Sequence, residues 1–261
     1  MLKHTLLACM TALSISILSA QEEKAAQKEK AAEEKSAKLE LPSGESIMDK
    51  YIEAAGGIEA HEKLKDTVFR GVIEVGPKVK MGLAIYSAEP NLHLQEIDIP
   101  GIGKMLEGVD GNIAWSYSAM SGPSIKEGKD AERAMTNAKF HDYDWRAKYR
   151  SAETEGVEMV EEEECYKVIL TPSTGNPETH YYSRQTGLLV RDEKIIEMEG
   201  EKISIENIFK DYRKLDGVMT PFKMIQSGAG QTATITFTEI KNNVDIPKST
   251  FEPPEDVRAL L

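Results

Sequence analysis

The sequence predicts a mainly β (α+β) fold, one large antiparallel sheet curled into an open, unclosed barrel with helices covering the open side. Three observations carry this expectation. Period-two hydrophobic alternation begins after Thr67 and recurs in short segments almost to the C-terminus. Turn-forming runs ("TPSTGNP", "RQTG", "MEGE", "KLDG", "GAGQ") separate those segments at hairpin spacing. No regular alternation of strand and helix accompanies them, as a parallel sheet would require. A sheet of about ten strands twists enough to curl. A barrel of more than about eight strands is too wide to be filled by its own side chains and tends to enclose a cavity.

The elements follow in order. Residues 1–20 open with Lys3 and His4, continue as a nearly uncharged apolar run from Thr5 to Leu18, and end in "LSA". That pattern reads as a secretory signal peptide cut after Ala20, since the run is too short to span a bilayer. "LLAC" (Leu6 to Cys9) resembles a lipoprotein box, but almost no apolar run precedes it, so lipidation at Cys9 is not expected. Residues 21–41 are dominated by Glu, Lys, Ala and Gln with no apolar face, which suits a solvated linker. The folded domain is expected over 42–261. Ser43 can cap a helix whose apolar face is Ile47, Met48, Tyr51, Ile52 and Ala55, and Gly56-Gly57 stops it. A short helical turn follows in "IEAHEKLKD".

Strands then alternate. Phe69, Ile73 and Val75 share one face, and Val79, Met81, Leu83 and Ile85 share a face of the next strand. Further strands are expected around 91–98, 103–109 and 112–118. A helix near 127–139 comes next, followed by strands around 149–159, 165–171, 178–184, 187–197, 202–213, 218–227 and 231–241. In "TATITFTEI", Thr232, Thr234, Thr236 and Thr238 oppose Ala233, Ile235 and Phe237.

Charge and cysteine content exclude several functions. The net charge is −12, and removal of Lys3 with the leader leaves −13. Such a surface repels nucleic acid and anionic membranes. Cys165 is the only cysteine outside the leader, so no internal disulfide is expected and the core must hold the fold unaided. No later segment approaches ~18 consecutive apolar residues, so no transmembrane helix is expected.

Candidate chemistry is sparse. Ser121 in "SAMSGPS" lacks the glycine two residues earlier that a nucleophile elbow requires, and Ser121-Gly122-Pro123 suits a turn into a helix. "FHDYDW" places His141 near Asp142 and Asp144, a possible cation site, although acidic loops are more often solvated surface. Cys165 sits in an alternating strand as a small core residue. No phosphate loop, dinucleotide fingerprint or haem motif is present, so no cofactor and no metal are expected. Trp115 and Tyr117 lie on one face of a strand with Ile113. Ordinary core is one reading of them, and the mouth of an apolar cavity beneath the following helix is the other.

"EPNLHLQEIDIPGIGKMLEGVDGNIAWSY" is similar to LolA-type periplasmic lipoprotein carriers, in which Pro-Asn-Leu starts a strand and an Asp-Gly hairpin leads to Trp-x-Tyr. "STFEPPEDVRAL" (Ser249 to Leu260) resembles the closing Phe-x-Pro-Pro of that family. "SIMDKYIEAAGG", "YYSRQTGLLVR" and "DYRKLDGVMTPFK" resemble the broader outer-membrane lipoprotein-sorting-like group. The resemblance implies an open β-barrel, an apolar cavity for acyl chains, and neither catalytic residues nor a cofactor. It departs from the family at Glu89, where the carriers commonly place an Arg that latches the lid.

The expected function is a periplasmic, monomeric carrier that shields a lipid or lipoprotein acyl chain, with envelope membrane proteins as further partners. The cavity and lid residues expected are Leu83, Leu92, Leu94, Trp115, Tyr117, Met135, Phe222 and Phe237, with Ser121, Gly122 and Pro123 as the lid hinge. The alternative is an exported, non-catalytic envelope scaffold with a filled core. An apolar pocket of several hundred Å³ would favour the carrier. An envelope hydrolase is disfavoured, since no nucleophile, base or metal constellation stands out.

Overall fold

A computed structural model describes residues 41–141, 143–173, 175–198 and 201–261. The expected signal peptide and residues 21–40 of the linker lie outside the described residues. Two helices, α1 (Gly44–Ala54) and α2 (Ile58–Glu62), precede six strands, β1 (Asp66–Val75), β2 (Val79–Ala88), β3 (Leu92–Ile99), β4 (Gly103–Val109), β5 (Ala114–Ser118) and β6 (Gly122–Ile125). Helices α3 (Gly128–Asn137) and α4 (Trp145–Lys148) lead to β7 (Tyr149–Val160), β8 (Glu163–Pro172), β9 (Glu178–Ser183) and β10 (Leu189–Met198). Strands β11 (Glu201–Leu215), β12 (Val218–Gly228) and β13 (Gln231–Asn242) complete the sheet, followed by a 3₁₀ turn (Lys248–Phe251) and α5 (Glu255–Arg258). No helix among the described residues is long and apolar enough to cross a membrane.

All thirteen strands belong to one sheet, in the order β6-β5-β4-β3-β2-β1-β13-β12-β11-β10-β9-β8-β7. Every pairing is antiparallel. The chain starts in the middle of the sheet, meanders out to β6, crosses through α3 and α4 to the far edge at β7, and meanders back until β13 pairs with β1. The sheet is not closed, because β6 and β7 remain its two edges. The expected open antiparallel architecture is therefore borne out.

One expected element is corrected. Ser121-Gly122-Pro123 is not a hinge into a helix. Ser121 ends a tight turn, and Gly122 and Pro123 begin β6, pairing with Ser118 and Tyr117. Gly122 has φ 78°, in the left-handed region that glycine enters without strain. Pro123 is tolerated because β6 is an edge strand. The helix starts only at Gly128, after a strand of four residues too short and too rich in Gly and Pro to be legible by alternation.

Alternation and register separate two faces. Ile73, Ile235, Met224 and Phe209 stand opposite one another across β1, β13, β12 and β11. Phe209 packs against the cluster that seats α1, where Ile47 and Met48 lie on Ala152, Val168, Leu170 and Tyr182. The same face continues through β2, where Met81 opposes Ile73: Leu83 opposes Ile97, Ile97 opposes Met105, and Met105 opposes Ser118, which shares its face with Ala114. Ala114 and Val109 meet Ala134, Met135 and Ala138 of the α3 region. Both helices thus cover the same, inner face. The outer face carries Trp115, Leu94 and Tyr86 under the C-terminal segment, with Phe251 and Val257 fully buried there. Beyond that segment the outer face carries a second buried cluster of Val160, Cys165 and Tyr181 and surface ion pairs such as Arg70 with Glu239 at 3.6 Å.

The α1 helix starts from Ser43, whose hydroxyl accepts the amide of Ser46 at 3.2 Å. It also anchors the crossover. Trp145 Nε1 donates to Asp49 Oδ1 at 2.9 Å, and the Arg146 guanidinium grips both oxygens of the same carboxylate at 2.7 and 2.9 Å. The Arg146 hydrogen bond is the main reason the Asp49 carboxyl titrates below its ordinary range. Gly44 makes the seating possible, because a Cβ there would come within 2.3 Å of the Ala152 carbonyl oxygen. The substitution Gly44→Ala is expected to lower stability by about 1–3 kcal/mol through overpacking, measured as a lower midpoint in chemical denaturation. An unchanged midpoint would show that the helix is not seated as described.

Candidate functional site

The inner face between α1 and α3 carries an apolar strip built from strands alone. Ile73, Leu83 and Ile235 are buried at its centre, and Val75, Met81, Ile85, Ile97, Met224, Ala233 and Phe237 surround them half-buried. Among the described residues, no helical residue belongs to this cluster. Two-residue periodicity puts all of them on one side of β1, β2, β3, β12 and β13. Large half-exposed apolar groups gathered on a concave, helix-rimmed surface are the usual lining of a lipid or ligand site.

At one end the Phe237 ring meets Phe69 at 5.2 Å between centroids. Phe69 in turn lines a pocket of about 250 Å³ with His61, Thr67, Ser87, His141 and Val218 among its walls. The segment after α3 straps over this pocket. Phe140 donates its amide to the Pro90 carbonyl at 3.1 Å. His141 Nε2 lies 2.5 Å from Glu89 Oε1, and the Tyr143 hydroxyl donates to Glu62 Oε1 at 3.2 Å. The rings continue the strap, with Phe140 to His141 at 5.1 Å, His141 to Tyr143 at 5.6 Å and Tyr143 to His61 at 5.9 Å. Burial, aided by nearby His141, holds the His61 imidazole below its ordinary range and so uncharged at neutral pH. Among the described residues, its buried Nε2 has no hydrogen-bond partner.

The residues named from sequence divide between the faces. Leu83 and Phe237 lie in the strip, and Phe222 is buried on the same inner side beneath the Arg213 guanidinium at 4.1 Å. Met135 sits half-buried on α3 against Val109 and Ala114. Leu92, Leu94, Trp115 and Tyr117 are brought together elsewhere, on the outer face against Phe251 and Val257. The expectation that Trp115 and Tyr117 point beneath the α3 helix is therefore corrected. The helix rests on Ala114, whose small side chain lets it approach, and the neighbouring Trp115 must then point the other way. His61 of α2 and the strap residues Phe140 and Tyr143 are not among the residues named from sequence. For the strap the signal is the cluster of aromatic and histidine residues at 140–145, whose pattern also suits metal ligation.

Nucleophilic and metal chemistry find little support in the geometry. Ser121 is exposed in the hairpin turn, and none of the hydrogen bonds among the described residues involves its hydroxyl. The Cys165 thiol is fully buried, and burial, reinforced by Glu163, pushes it up to about 11, so it stays protonated at neutral pH. His141 is engaged by Glu89, Asp142 lies outside the described residues, and no group of three His, Cys, Asp or Glu among the described residues is arranged to hold a metal. A larger cleft of about 780 Å³ lies by the β7–β8 and β9–β10 turns and the middle of β11, lined by Val160, Glu161, Glu163, Leu188, Lys210 and Tyr212 among others. It is open and mixed in character, with Leu188, Val190 and Phe209 beside the carboxylates and with Lys210 and Glu161 paired at 2.6 Å. Acidic groups crowd its lining, and we place the site at the wholly apolar strip and its adjoining smaller pocket.

No protein-family model matches the sequence, and no curated protein does. Solved structures do match. A DUF1329 family protein from Desulfovibrio piger is 16% identical with a TM-score of 0.57, over 81% of this chain and 98% of that one. A LolA superfamily protein from Nitrosomonas europaea is 14% identical with a TM-score of 0.54, over 82% and 99%. A domain provisionally described as outer membrane lipoprotein-sorting, from Vibrio parahaemolyticus, is 13% identical with a TM-score of 0.55, over 78% and 97%. At these identities the likeness is one of fold: an unclosed antiparallel sheet with helices on its inner face, which is the fold of the LolA superfamily.

Proposed function

We propose that the protein is a carrier outside the cytoplasm, in the periplasm, that shields an acyl chain of a lipid or lipoprotein against the inner strip. The observation that carries this reading is the strand-only cluster around Ile73, Leu83 and Ile235, apolar and half-buried on the face where helices otherwise provide cover. Binding works by removal of CH₂ groups from water, each worth ~0.8 kcal/mol. Met81 and Met224 make the surface adaptable to chains of different shape. The signal-like residues 1–20 and the LolA-like fold support a place in the envelope, where membrane proteins would deliver and receive the cargo. The acidic surface argues against nucleic acid. The reading needs no catalytic group and no cofactor. The mechanism has one moving part, the strap from α3 to α4, held over the pocket by Glu89 and His141.

A filled-core envelope scaffold is the second reading, and one observation favours it. The inner pocket measures about 250 Å³, below the several hundred expected of a preformed lipid cavity. The carrier reading accordingly requires the chain to lie along the strip and the strap to lift.

Two predictions separate the readings. The substitution Phe237→Ala removes a half-buried ring from the strip and is expected to weaken binding of a fluorescent fatty-acyl probe about tenfold or more. Tyr117→Ala, on the opposite face, is expected to lower stability while leaving probe affinity unchanged. The reverse pattern in titration and thermal melts would overturn the assignment of faces, and absence of probe binding to the unaltered protein would leave the scaffold. For the strap, Glu89→Gln is expected to raise the probe dissociation rate about two- to fivefold, a modest effect because the pair is partly solvated. A rate unchanged in stopped-flow displacement would show that the strap is not the gate.

A further inference from the structure

The pocket beneath the strap differs in chemistry from the strip it adjoins. We infer that it receives the uncharged, hydroxyl-bearing head of an acyl amphiphile, a monoacylglycerol being the simplest, with the chain lying over Phe69, Phe237 and Leu83. This rests on the carrier reading and adds the class of ligand. Continuity comes from Phe69, which lines the pocket and touches Phe237 of the strip. The volume of about 250 Å³ equals about eight waters at ~30 Å³ each, room for a small head but not for the chain as well.

The polar groups select the head. His61 Nε2 is buried with no partner, and a buried nitrogen left unpaired is costly. Once the strap lifts, as the carrier reading requires, a hydroxyl can reach it and donate to it or accept from it, so either neutral tautomer is served. Two other walls are hydroxyls. Thr67 Oγ1 donates to Asn242 Oδ1 at 3.0 Å, and Ser87 Oγ lies 3.1 Å from His93 Nδ1. Each hydroxyl oxygen keeps acceptor capacity for a ligand hydroxyl.

Charge works against an ionised head of either sign. Glu89 and Glu62 hold the strap at the mouth, and Asp216 accepts from Asn242 behind the wall at 3.0 Å. A carboxylate head would be desolvated among these carboxylates. Lys139 also lines the pocket, but it is exposed at the rim, where pairing in water contributes little. An ammonium head would lose its hydration among hydroxyls and an uncharged imidazole, because the carboxylates stand at the mouth and behind the wall and not inside the pocket.

The test uses the full chain and a fluorescent fatty-acyl probe displaced by monolauroylglycerol, laurate and dodecylamine at pH 7.5. Monolauroylglycerol is expected to compete at least about tenfold better than either charged analogue. His61→Phe, which keeps a ring in place, is expected to weaken monolauroylglycerol about five- to tenfold and to leave the charged analogues nearly unaffected. Equal or better competition by laurate or dodecylamine overturns the head assignment while the carrier reading stands. If none of the three binds, the carrier reading itself fails. If the variant does not fold, the rank order on the unaltered protein decides.

Discussion

The pairing of β1 with β13 is the constraint on which the rest of the molecule depends. It puts the first and last strands side by side in the middle of the sheet, so the edges become β6 and β7, which are adjacent in sequence but lie at opposite ends of the ladder. The chain can connect them only across a face, and that requirement places α3, the strap and α4 over the inner surface. The junction is secured by side chains as well as by the ladder. Asp66, buried, accepts the amides of Val244 and Asp245 at 2.7 and 3.0 Å, and Asn243 accepts from Lys65 and donates to the Lys63 carbonyl. A buried carboxylate is tolerable there because it receives two backbone donors.

From that topology the division of labour between the faces follows. The outer face is closed by the last turn of the chain, with Phe251 and Val257 sealing Trp115 and Leu94 into a dry cluster. The inner face is closed only in part. The α1 helix covers β7 to β9, and α3 covers β4 and β5 through small residues. The middle, around Leu83 and Ile235, is left to strand side chains. A device that binds apolar ligands needs such asymmetry, because a face sealed with helices has no room for cargo and an unsealed outer face would aggregate.

Much of this was legible in the sequence. The helix capped by Ser43, the strand run after Thr67 and the inward set Leu83, Ile85 and Phe237 could be read from periodicity, since side-chain period alone decides them. Strand β6 could not, because four residues containing Gly122 and Pro123 carry turn chemistry and too little alternation. Which face Trp115 occupies was not legible either. Alternation says that Ala114 and Trp115 point apart, but only the tertiary positions of α3 and the C-terminal segment decide which side is inner. Size misled there, since the larger residue was assigned to the cavity and the smaller one turned out to seat the helix. At the mouth, the sequence marked Glu89 as a departure from the usual Arg without indicating its partner. His141 lies more than fifty residues away and meets Glu89 only because the crossover returns over the β2–β3 turn.

The central claim is that the inner strip, and not the Trp115 cluster, is the surface that meets an acyl chain. Photolabelling with a fatty acid carrying a diazirine in mid-chain, followed by peptide mass spectrometry, tests it most directly. The account predicts adducts on β2, β12 and β13, at or beside Leu83, Met224 and Phe237. Adducts concentrated on Leu94, Tyr117 or Phe251, or none above background, would contradict it.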